Sequence, residues 1–181
     1  LKKKHDFLRV IYHDKKEGFA VAARNLYQEA KCPLVFFTDS DGQYVPSEFW
    51  KLAPYAGEYN LVHGAKIGRQ DPLFRKISSA CFNRVARLIF DQHYSDINSA
   101  FRIVRRETVL KILPQARCMP TLLNAELLLR LEMENFRIKQ VRVIHRKRKF
   151  GVSRGLPLSR YLWECWLAYK GLLKLKSEYK A

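Results

Sequence analysis

The stretch Leu34-Val-Phe-Phe-Thr-Asp39-Ser-Asp41-Gly-Gln43 places an apolar segment directly before two carboxylates and an amide. Pro33 and the acidic turn bound this segment, whose length and composition are typical of a strand buried on both faces of a sheet. Ligands of open α/β sheets bind outside the carboxyl ends of the strands, so Asp39 and Asp41 are placed for a ligand. The stretch predicts an α/β sheet with a ligand site just past Thr38.

The residue types in this acidic turn indicate a metal ion. Spacing of i and i+2 lets Asp39 and Asp41 converge on one hard cation, and Gln43 adds a neutral oxygen. Mg²⁺ and Mn²⁺ are the cations that such oxygen ligands suit. Asp, Ser and Gly are also ordinary turn residues, so a solvated turn without a ligand is the alternative for this stretch taken alone.

The hydrophobic pattern predicts helices that alternate with strands. A helix over 18–30 and the strand 34–38 are expected to complete a parallel βαβ unit, whose first strand precedes the helix. Further strands are predicted at 7–13, 61–67, 100–104 and 137–145, and further helices from Pro46, over 71–90, over 107–113 and over 124–134. The apolar stripe of the 71–90 helix is Leu73, Ile77, Cys81, Val85 and Leu88. This alternation predicts a three-layer α/β/α sandwich with a mostly parallel sheet.

The net charge and the spacing of the cysteines indicate which partners and which cellular compartment to expect. A formal charge of +17 on 181 residues favours phosphate-bearing partners or an anionic membrane surface. The four cysteines lie far apart, without the paired spacing of a zinc or redox motif, so reduced thiols in the cytosol are expected. No window approaches the roughly 20 apolar residues of a membrane span, and we expect a soluble or peripheral chain.

Further motifs follow the acidic turn in a fixed order. They are Pro46, Gly64-Ala-Lys-Ile-Gly-Arg69-Gln-Asp71, Arg75-Lys-Ile-Ser-Ser79, Asp96-Ile-Asn-Ser99-Ala-Phe101-Arg102, Glu126-Leu-Leu and Arg148-Lys-Phe-Gly151-Val-Ser153-Arg154. In this order the chain resembles the family 2 glycosyltransferases of GT-A fold, in particular the dolichyl-phosphate mannosyltransferase-like branch. The resemblance implies a GT-A domain over residues 1–155, followed by an amphipathic helix over residues 156–181.

The chain departs from the family pattern in two places. It begins with Leu1-Lys-Lys-Lys-His5, and the predicted strand 7–13 follows directly. The family's first strand, which holds the nucleotide base and ribose, therefore has no counterpart here. The domain is therefore expected to be amino-terminally truncated, either as a fragment or as a shortened relative. Ala100 stands where relatives commonly carry glycine, which bears on the backbone near Asp96.

The resemblance also assigns roles to the charged residues. Asp39, Asp41 and Gln43 are expected to hold Mg²⁺ or Mn²⁺ against the diphosphate of a nucleotide-sugar donor. The phosphate-binding candidates are Arg148, Ser153, Arg154, Arg69 and Arg75. The first three would clamp the diphosphate or an acceptor phosphate, and the last two would reach the acceptor phosphate. A solvated basic loop and a solvated helix start are the alternatives.

Asp96 and Glu126 are the predicted catalytic carboxylates, and the acceptor decides what they do. A sugar hydroxyl needs a general base, whereas a phosphate monoester is already ionised at neutral pH. The Glu-Asp pair and Gln-x-x-Arg-Trp motif of polysaccharide-synthesising relatives are missing, which favours a polyprenyl phosphate such as dolichyl or undecaprenyl phosphate. Asp96 would then orient the sugar or the Ser99 loop. The alternatives are turn capping for Asp96 and helix-dipole stabilisation for Glu126.

The tail over 156–181 has the pattern of a membrane-interfacial helix. Its apolar side carries Leu158, Leu162, Trp166, Tyr169 and Leu173, and lysines occupy the other sides. Tryptophan, tyrosine and lysine suit the boundary of an anionic bilayer, so a peripheral location at the cytoplasmic face of the membrane is expected. The alternative is a helix that packs on its own domain.

The expected function is inverting transfer of a sugar from a nucleotide diphosphate to a polyprenyl phosphate. One alternative is a glycosyltransferase that acts on a carbohydrate hydroxyl. Others are a non-catalytic basic protein that binds nucleic acid or membrane, and a degenerate relative without activity. Nucleic acid is not expected as a partner, because aromatic residues are not interleaved with the basic clusters.

Overall fold

The computed structural model describes residues 4–68, 73–147 and 158–180. Its helices and strands are, in chain order, α1 (Phe19–Glu29), β1 (Leu34–Phe37), α2 (Phe49–Leu52), β2 (Leu61–Ile67), α3 (Leu73–Phe90), β3 (Arg102–Arg105), α4 (Arg106–Ile112), α5 (Leu123–Met133), β4 (Ile138–Ile144) and α6 (Leu158–Lys180). Short 3₁₀ turns flank α2 on both sides. Most of the predicted elements are confirmed to within two residues of their expected ends.

The four strands form one mixed sheet in the order β1-β3-β2-β4. β2 and β4 pair in parallel, with Leu61 opposite Ile138. β3 pairs antiparallel with both β1 and β2. Three strands therefore run in one direction and end at the same edge of the sheet, which confirms the α/β class.

Helices cover both faces of the sheet. Phe36 and Phe37 are successive residues of β1 and therefore point to opposite faces. Phe37 stacks on Tyr27 of α1, with ring centroids 5.0 Å apart, whereas Phe36 meets Phe49 of α2 edge to face. These contacts confirm the three-layer α/β/α arrangement.

The core centres on α5, whose residues 123–131 are all buried. A helix that is apolar on every side packs inside a domain rather than on its surface. Buried side chains from β2 and β3, including Leu61, Val62, Ile103 and Val104, belong to the same cluster. The segment that ends in the Asp96 loop and the helix that carries Glu126 are thus both anchored on this core.

The predicted strand at 7–13 is wrong. These residues follow an irregular path, and Phe7 and Tyr12 are exposed. Strand conformation needs a neighbouring strand for its backbone hydrogen bonds, and none of the described strands lies beside this segment.

The environment predicted for β1 is also wrong. β1 lies at an edge of the described sheet, and Leu34 and Phe36 are partly exposed. Its one described partner is the antiparallel β3, and residues 7–13 form no strand, so the parallel βαβ unit predicted through α1 and β1 is wrong as well. Strand pairing follows from contacts distant in sequence, which a run of apolar residues does not reveal.

Most of the apolar stripe predicted on α3 faces away from the core, and of its five residues only Val85 packs against the core. Leu73 is 72% exposed, Ile77 60% and Leu88 78%, and Cys81 is exposed as well. The buried positions of α3 are Asn83 and Ala86 instead. An amphipathic pattern shows that a helix has an apolar side, but not which surface that side meets.

The carboxyl-terminal helix α6 packs against α3. Ala168, Leu172 and Leu175 are buried on its inner side, whereas Trp163 and Trp166 are exposed. The boundary between a domain over 1–155 and a helix over 156–181 stays a prediction. None of the helices in the described ranges is long and apolar enough to cross a membrane.

Candidate active site

The acidic turn begins immediately after β1 and is held in a defined shape. Asp41 Oδ1 accepts a hydrogen bond from the backbone N–H of Gln43 at 3.0 Å. Gly42 between them has φ of 73°, a left-handed conformation that glycine adopts without strain. The side chains that sequence predicts as metal ligands therefore lie together on one short turn.

The turn is tied to the segment that follows β4. Gln43 Nε2 donates to the carbonyl of Arg146 at 3.1 Å, and the N–H of Arg146 donates back to the Gln43 carbonyl at 2.8 Å. β1 and β4 are the outermost of the described strands and run in the same direction, and residues beyond their carboxyl ends make this contact. The acidic turn thus lies beside the start of the basic segment 146–154.

Two carboxylates and an amide oxygen form a donor set that fits a hard divalent cation. Asp39 and Asp41 supply the charge, and Gln43 engages Arg146 through its amide nitrogen rather than its oxygen. Within 4–68, 73–147 and 158–180, no group of three or more His, Cys, Asp or Glu side chains is arranged to hold a metal. The predicted site depends on the amide as its third ligand.

Asp96 lies in the loop before β3 and is buried against the carboxyl end of β2. Its Oδ2 accepts the backbone N–H of Lys66 at 3.3 Å, and Lys66 Nζ lies 3.5 Å from the same oxygen. Sequence analysis missed Lys66 as a site residue. The rule that identified Asp39, a position at the carboxyl end of a strand, applies equally to Lys66 at the end of β2.

A buried positive charge lies beneath the Asp96 loop. Arg102 is 1% exposed and donates to the carbonyls of Ile97, Ser99 and Asn124, the last at 2.9 Å. Burial, reinforced by the Arg102 guanidinium, lowers the pKa of the neighbouring His63 to about 3. His63 is therefore neutral at physiological pH, and Arg102 fixes the loop through its backbone.

Glu126 lies in a different environment from Asp96. Its carboxylate is fully buried and accepts the backbone N–H groups of Cys118 and Met119 at 2.9 and 2.7 Å. Arg130 Nε donates to it at 3.1 Å. None of these contacts involves the acidic turn or Asp96, and the catalytic role of Glu126 stays a prediction.

Asp96 opens onto a cavity of about 740 Å³ between α3 and α6. Lys66 and Arg75 line it together with Asp96 and Glu164, so two cationic and two acidic side chains share one cavity. Its other walls are largely apolar, from Phe74, Phe82, Val85, Leu122, Ala168 and Leu172. Such a cavity suits a ligand that joins an apolar chain to an anionic group.

The predicted phosphate-binding residues are only partly covered by the structure. Arg75 lies in the first turn of α3 on the cavity wall, half-buried over the Phe74 ring. Arg69, Arg148, Ser153 and Arg154 lie outside the described residues. The structure thus brings Arg75 together with Asp96 at the cavity, and it places the acidic turn beside Arg146.

Comparison with known proteins gives a family and several relatives. The sequence profile described as Glycosyl transferase family 2 matches residues 1–113. A protein of Pectobacterium atrosepticum named undecaprenyl-phosphate 4-deoxy-4-formamido-L-arabinose transferase is 30% identical over 132 residues, which are 71% of this chain and 38% of that protein. Proteins of the same name from Aeromonas hydrophila and Serratia proteamaculans are each 27% identical, over 77% and 71% of this chain.

The curated relatives are much longer than this chain. The matched region spans 38% of the Pectobacterium protein, 43% of the Aeromonas protein and 38% of the Serratia protein. The profile match covers the acidic turn and Asp96, whereas Glu126 and the basic segment lie beyond it.

Proposed function

The chain belongs to glycosyl transferase family 2, and from that premise we propose that it transfers a sugar from a nucleotide-diphosphate donor to a polyprenyl phosphate. A phosphate oxygen of the acceptor attacks the anomeric carbon as the bond from that carbon to the donor diphosphate breaks. The nucleoside diphosphate leaves with the bonding electrons, and the configuration at the anomeric carbon inverts. The names of the relatives support undecaprenyl phosphate as the acceptor to test.

The observation that carries this proposal is the cavity between α3 and α6. Its apolar walls fit isoprenoid units, and Lys66 and Arg75 offer cationic donors to a phosphate. The lining also carries hydrogen-bonding groups, among them Ser78, Thr121 and Glu164, but most of the surface that it presents is apolar. The cavity therefore favours a lipid phosphate over a carbohydrate hydroxyl.

Asp96 serves this reaction as an orienting group. Its carboxylate is held by the N–H and the ammonium of Lys66, and a phosphate acceptor has no proton for it to remove at neutral pH. Asn98 lines the same cavity, and its buried Oδ1 has no hydrogen-bond partner among the described residues. These two side chains are suited to accept hydrogen bonds from hydroxyl groups of the transferred sugar.

Asp39, Asp41 and Gln43 would hold Mg²⁺ or Mn²⁺. When bound, the ion would stabilise negative charge on the departing diphosphate. The chain's own contribution is the fixed turn that presents these oxygens, anchored on Arg146. Arg148, Ser153 and Arg154 are proposed to bind the same diphosphate, and Arg69 to assist at the acceptor phosphate.

Glu126 is proposed to act on the site through the cavity wall. It holds the backbone of Cys118 and Met119, and the nearby Thr121 and Leu122 line the cavity. Removing the carboxylate would leave two buried N–H groups without their acceptor and Arg130 with Glu178 as its remaining carboxylate partner. Its effect on transfer would then arise from displacement of this wall.

The membrane is the proposed location of the acceptor. The adjacent helices α3 and α6 both expose large apolar side chains, among them Leu73, Ile77, Trp163 and Trp166. Lys170 lies 4.3 Å from the centre of the Trp166 ring, which combines a cation with an aromatic surface. We propose peripheral contact with an anionic bilayer at its cytoplasmic face, which is the side that holds nucleotide sugars.

A transfer assay tests the function. The chain is incubated with Mn²⁺ or Mg²⁺, a panel of UDP- and GDP-sugars that includes 4-deoxy-4-formamido-L-arabinose, and undecaprenyl phosphate in detergent. We expect labelled lipid product with undecaprenyl phosphate and none with undecaprenol. Arg75→Gln should raise the KM for the lipid phosphate about tenfold, because one charged hydrogen bond is lost.

Arg84→Gln is the matched control, since Arg84 is also on α3 but exposed and outside the cavity. It should leave the KM unchanged. Transfer to carbohydrate hydroxyls with none to lipid phosphate would overturn the proposed acceptor.

A further inference from the structure

Tyr44 follows the acidic turn directly, and its hydroxyl reaches the Asp96 loop. The Tyr44 hydroxyl lies 2.8 Å from Ser99 Oγ. The backbone N–H of Ala100 donates to the Tyr44 oxygen at 3.3 Å. Tyr44 is 7% exposed and Ser99 is fully buried, so these hydrogen bonds are shielded from water.

The ring of Tyr44 packs against two further segments. It stacks on Phe101 at the start of β3, with centroids 5.0 Å apart and an interplanar angle of 25°. It also meets the ring of His145 edge to face at 5.0 Å, and the backbones of Tyr44 and His145 form an antiparallel bridge. One side chain therefore contacts the Asp96 loop and the segment after β4 while it continues the acidic turn.

Backbone N–H groups support both hydroxyls of this pair. The Ala100 N–H donates to the Tyr44 oxygen and the Phe101 N–H to Ser99 Oγ, so either hydroxyl can donate in the hydrogen bond that joins Tyr44 and Ser99. The backbone N–H of Ser99 donates to the Asp96 carbonyl at 3.2 Å, which closes the loop that presents the Asp96 side chain.

We propose that Tyr44 is a positioning residue that sets the distance between the donor-binding turn and Asp96 through its hydrogen bond to Ser99. The proposal rests on the function proposed above, because it treats the acidic turn and Asp96 as parts of one reacting site. Reacting groups must be held within a fraction of an ångström for efficient transfer, and a loop tied through one buried hydroxyl meets that need. Tyr44 touches neither substrate in this account and acts through Ser99.

Kinetics of Tyr44→Phe separate positioning from bulk stability. Phenylalanine keeps the stack on Phe101 and removes only the hydroxyl. We expect kcat for sugar transfer to fall about tenfold with the donor KM changed less than about twofold, since ground-state binding is retained. Ser99→Ala should give a similar loss, and the double variant should lose far less than the product of the two losses, because each change removes the shared Tyr44–Ser99 hydrogen bond.

Tyr27→Phe is the matched control. Tyr27 is also fully buried and stacked on a phenylalanine, and its hydroxyl has no hydrogen-bond partner in the described part of the chain. Its kcat should equal that of the wild type. A Tyr44→Phe enzyme with wild-type kcat, or losses that multiply in the double variant, would overturn the proposal.

Hydrogen–deuterium exchange gives a readout that does not need turnover. Amides of residues 96–101 should exchange about tenfold faster in Tyr44→Phe and at the wild-type rate in Tyr27→Phe. Equal exchange in both variants would contradict the role of Tyr44. Failure of the wild type to transfer sugar would instead reject the proposed function, and the exchange result would still decide whether Tyr44 fixes the loop.

Discussion

Asp96 and Glu126 are both buried carboxylates, yet their partners give them different uses. Asp96 is held by Lys66 at the wall of the cavity. Both Glu126 oxygens accept hydrogen bonds from backbone N–H groups, and one of them also pairs with Arg130. A carboxylate whose acceptor positions are filled by its own chain is suited to holding a turn, whereas one beside a cavity is suited to meeting a ligand.

His63 provides a prediction at the residue scale. Its pKa is about 3 in the folded chain, because burial and Arg102 oppose its protonation, and about 6.5 when the chain is unfolded. Between these values the unfolded state binds more protons, so the free energy of unfolding falls as the pH falls. The contribution is at most about 1.4 kcal/mol per pH unit.

Urea denaturation between pH 7 and pH 4 measures this effect. His63→Asn should give a shallower decline in the free energy of unfolding than the wild type, whatever its stability at pH 7. His93→Asn is the control, because His93 is exposed, and its decline should follow that of the wild type. Parallel declines for all three chains would contradict the assignment of His63 as a buried neutral histidine.

At the scale of elements, the sequence predicts those features that depend on local pattern. The sequence alone predicts the helix at α1, the strand at β2 and the acidic turn after β1. Each of these depends on a pattern of neighbouring residues. It does not predict the edge position of β1 or the outward stripe of α3. Both follow from which distant segment packs beside the element, and a single sequence carries no direct record of that.

The candidate site shows the same division. The acidic residues and Asp96 were identified from their motifs, and their assigned roles stay proposals. Lys66 and Tyr44 were missed because their importance comes from contacts with Asp96 and Ser99, 30 and 55 positions further along the chain. Glu126 was identified, but its partners at Cys118 and Met119 became visible only in the fold.

The docking of α6 depends on close approach at Gly171. A Cβ atom at this position would lie 2.5 Å from Met119 Cγ and 2.7 Å from the Cys118 carbonyl oxygen. The Cys118–Met119 backbone has little freedom to yield, because Glu126 holds both N–H groups. Arg130 adds a second attachment, with Nη2 2.6 Å from Glu178 of α6.

Gly171→Ala should therefore destabilise the chain by about 1–3 kcal/mol through overpacking, although alanine favours helix by about 1 kcal/mol. Urea denaturation measures the change. Gly57→Ala is the control, since a Cβ at Gly57 meets nothing within 4 Å, and its stability should stay close to that of the wild type. A more stable Gly171→Ala chain would show that α6 does not depend on this contact.

At the scale of the whole molecule, exposed apolar groups and positive charge occur together. Trp163 and Trp166 stack with ring centroids 4.8 Å apart on the exposed side of α6, and the chain carries a formal charge of +17. Aromatic rings at the lipid boundary and lysines near anionic headgroups act in the same direction. The molecule is suited to lie on an anionic surface with the cavity close to the lipid.

Flotation with vesicles tests this orientation. The double variant Trp163→Ser and Trp166→Ser should reduce binding to anionic vesicles about tenfold or more, because two large apolar side chains no longer enter the bilayer. Trp50→Ser is the control, since Trp50 is more exposed than Trp163 and Trp166 but belongs to α2. Equal loss in the control, or no loss in the double variant, would place the contact elsewhere.

The proposed transfer requires that the acidic turn bind a nucleoside diphosphate through a divalent cation. Calorimetric titration of the chain with UDP, GDP and their sugar conjugates, with and without Mn²⁺, tests it most directly, alongside Asp41→Asn and the control Asp91→Asn. Asp91 is exposed, and its positive φ of 52° is one that asparagine tolerates. We expect Mn²⁺-dependent binding that weakens about tenfold or more in Asp41→Asn and stays unchanged in Asp91→Asn. Binding that is independent of Mn²⁺ and unchanged in Asp41→Asn, or no binding by the wild type, would contradict a metal-dependent donor site at the acidic turn.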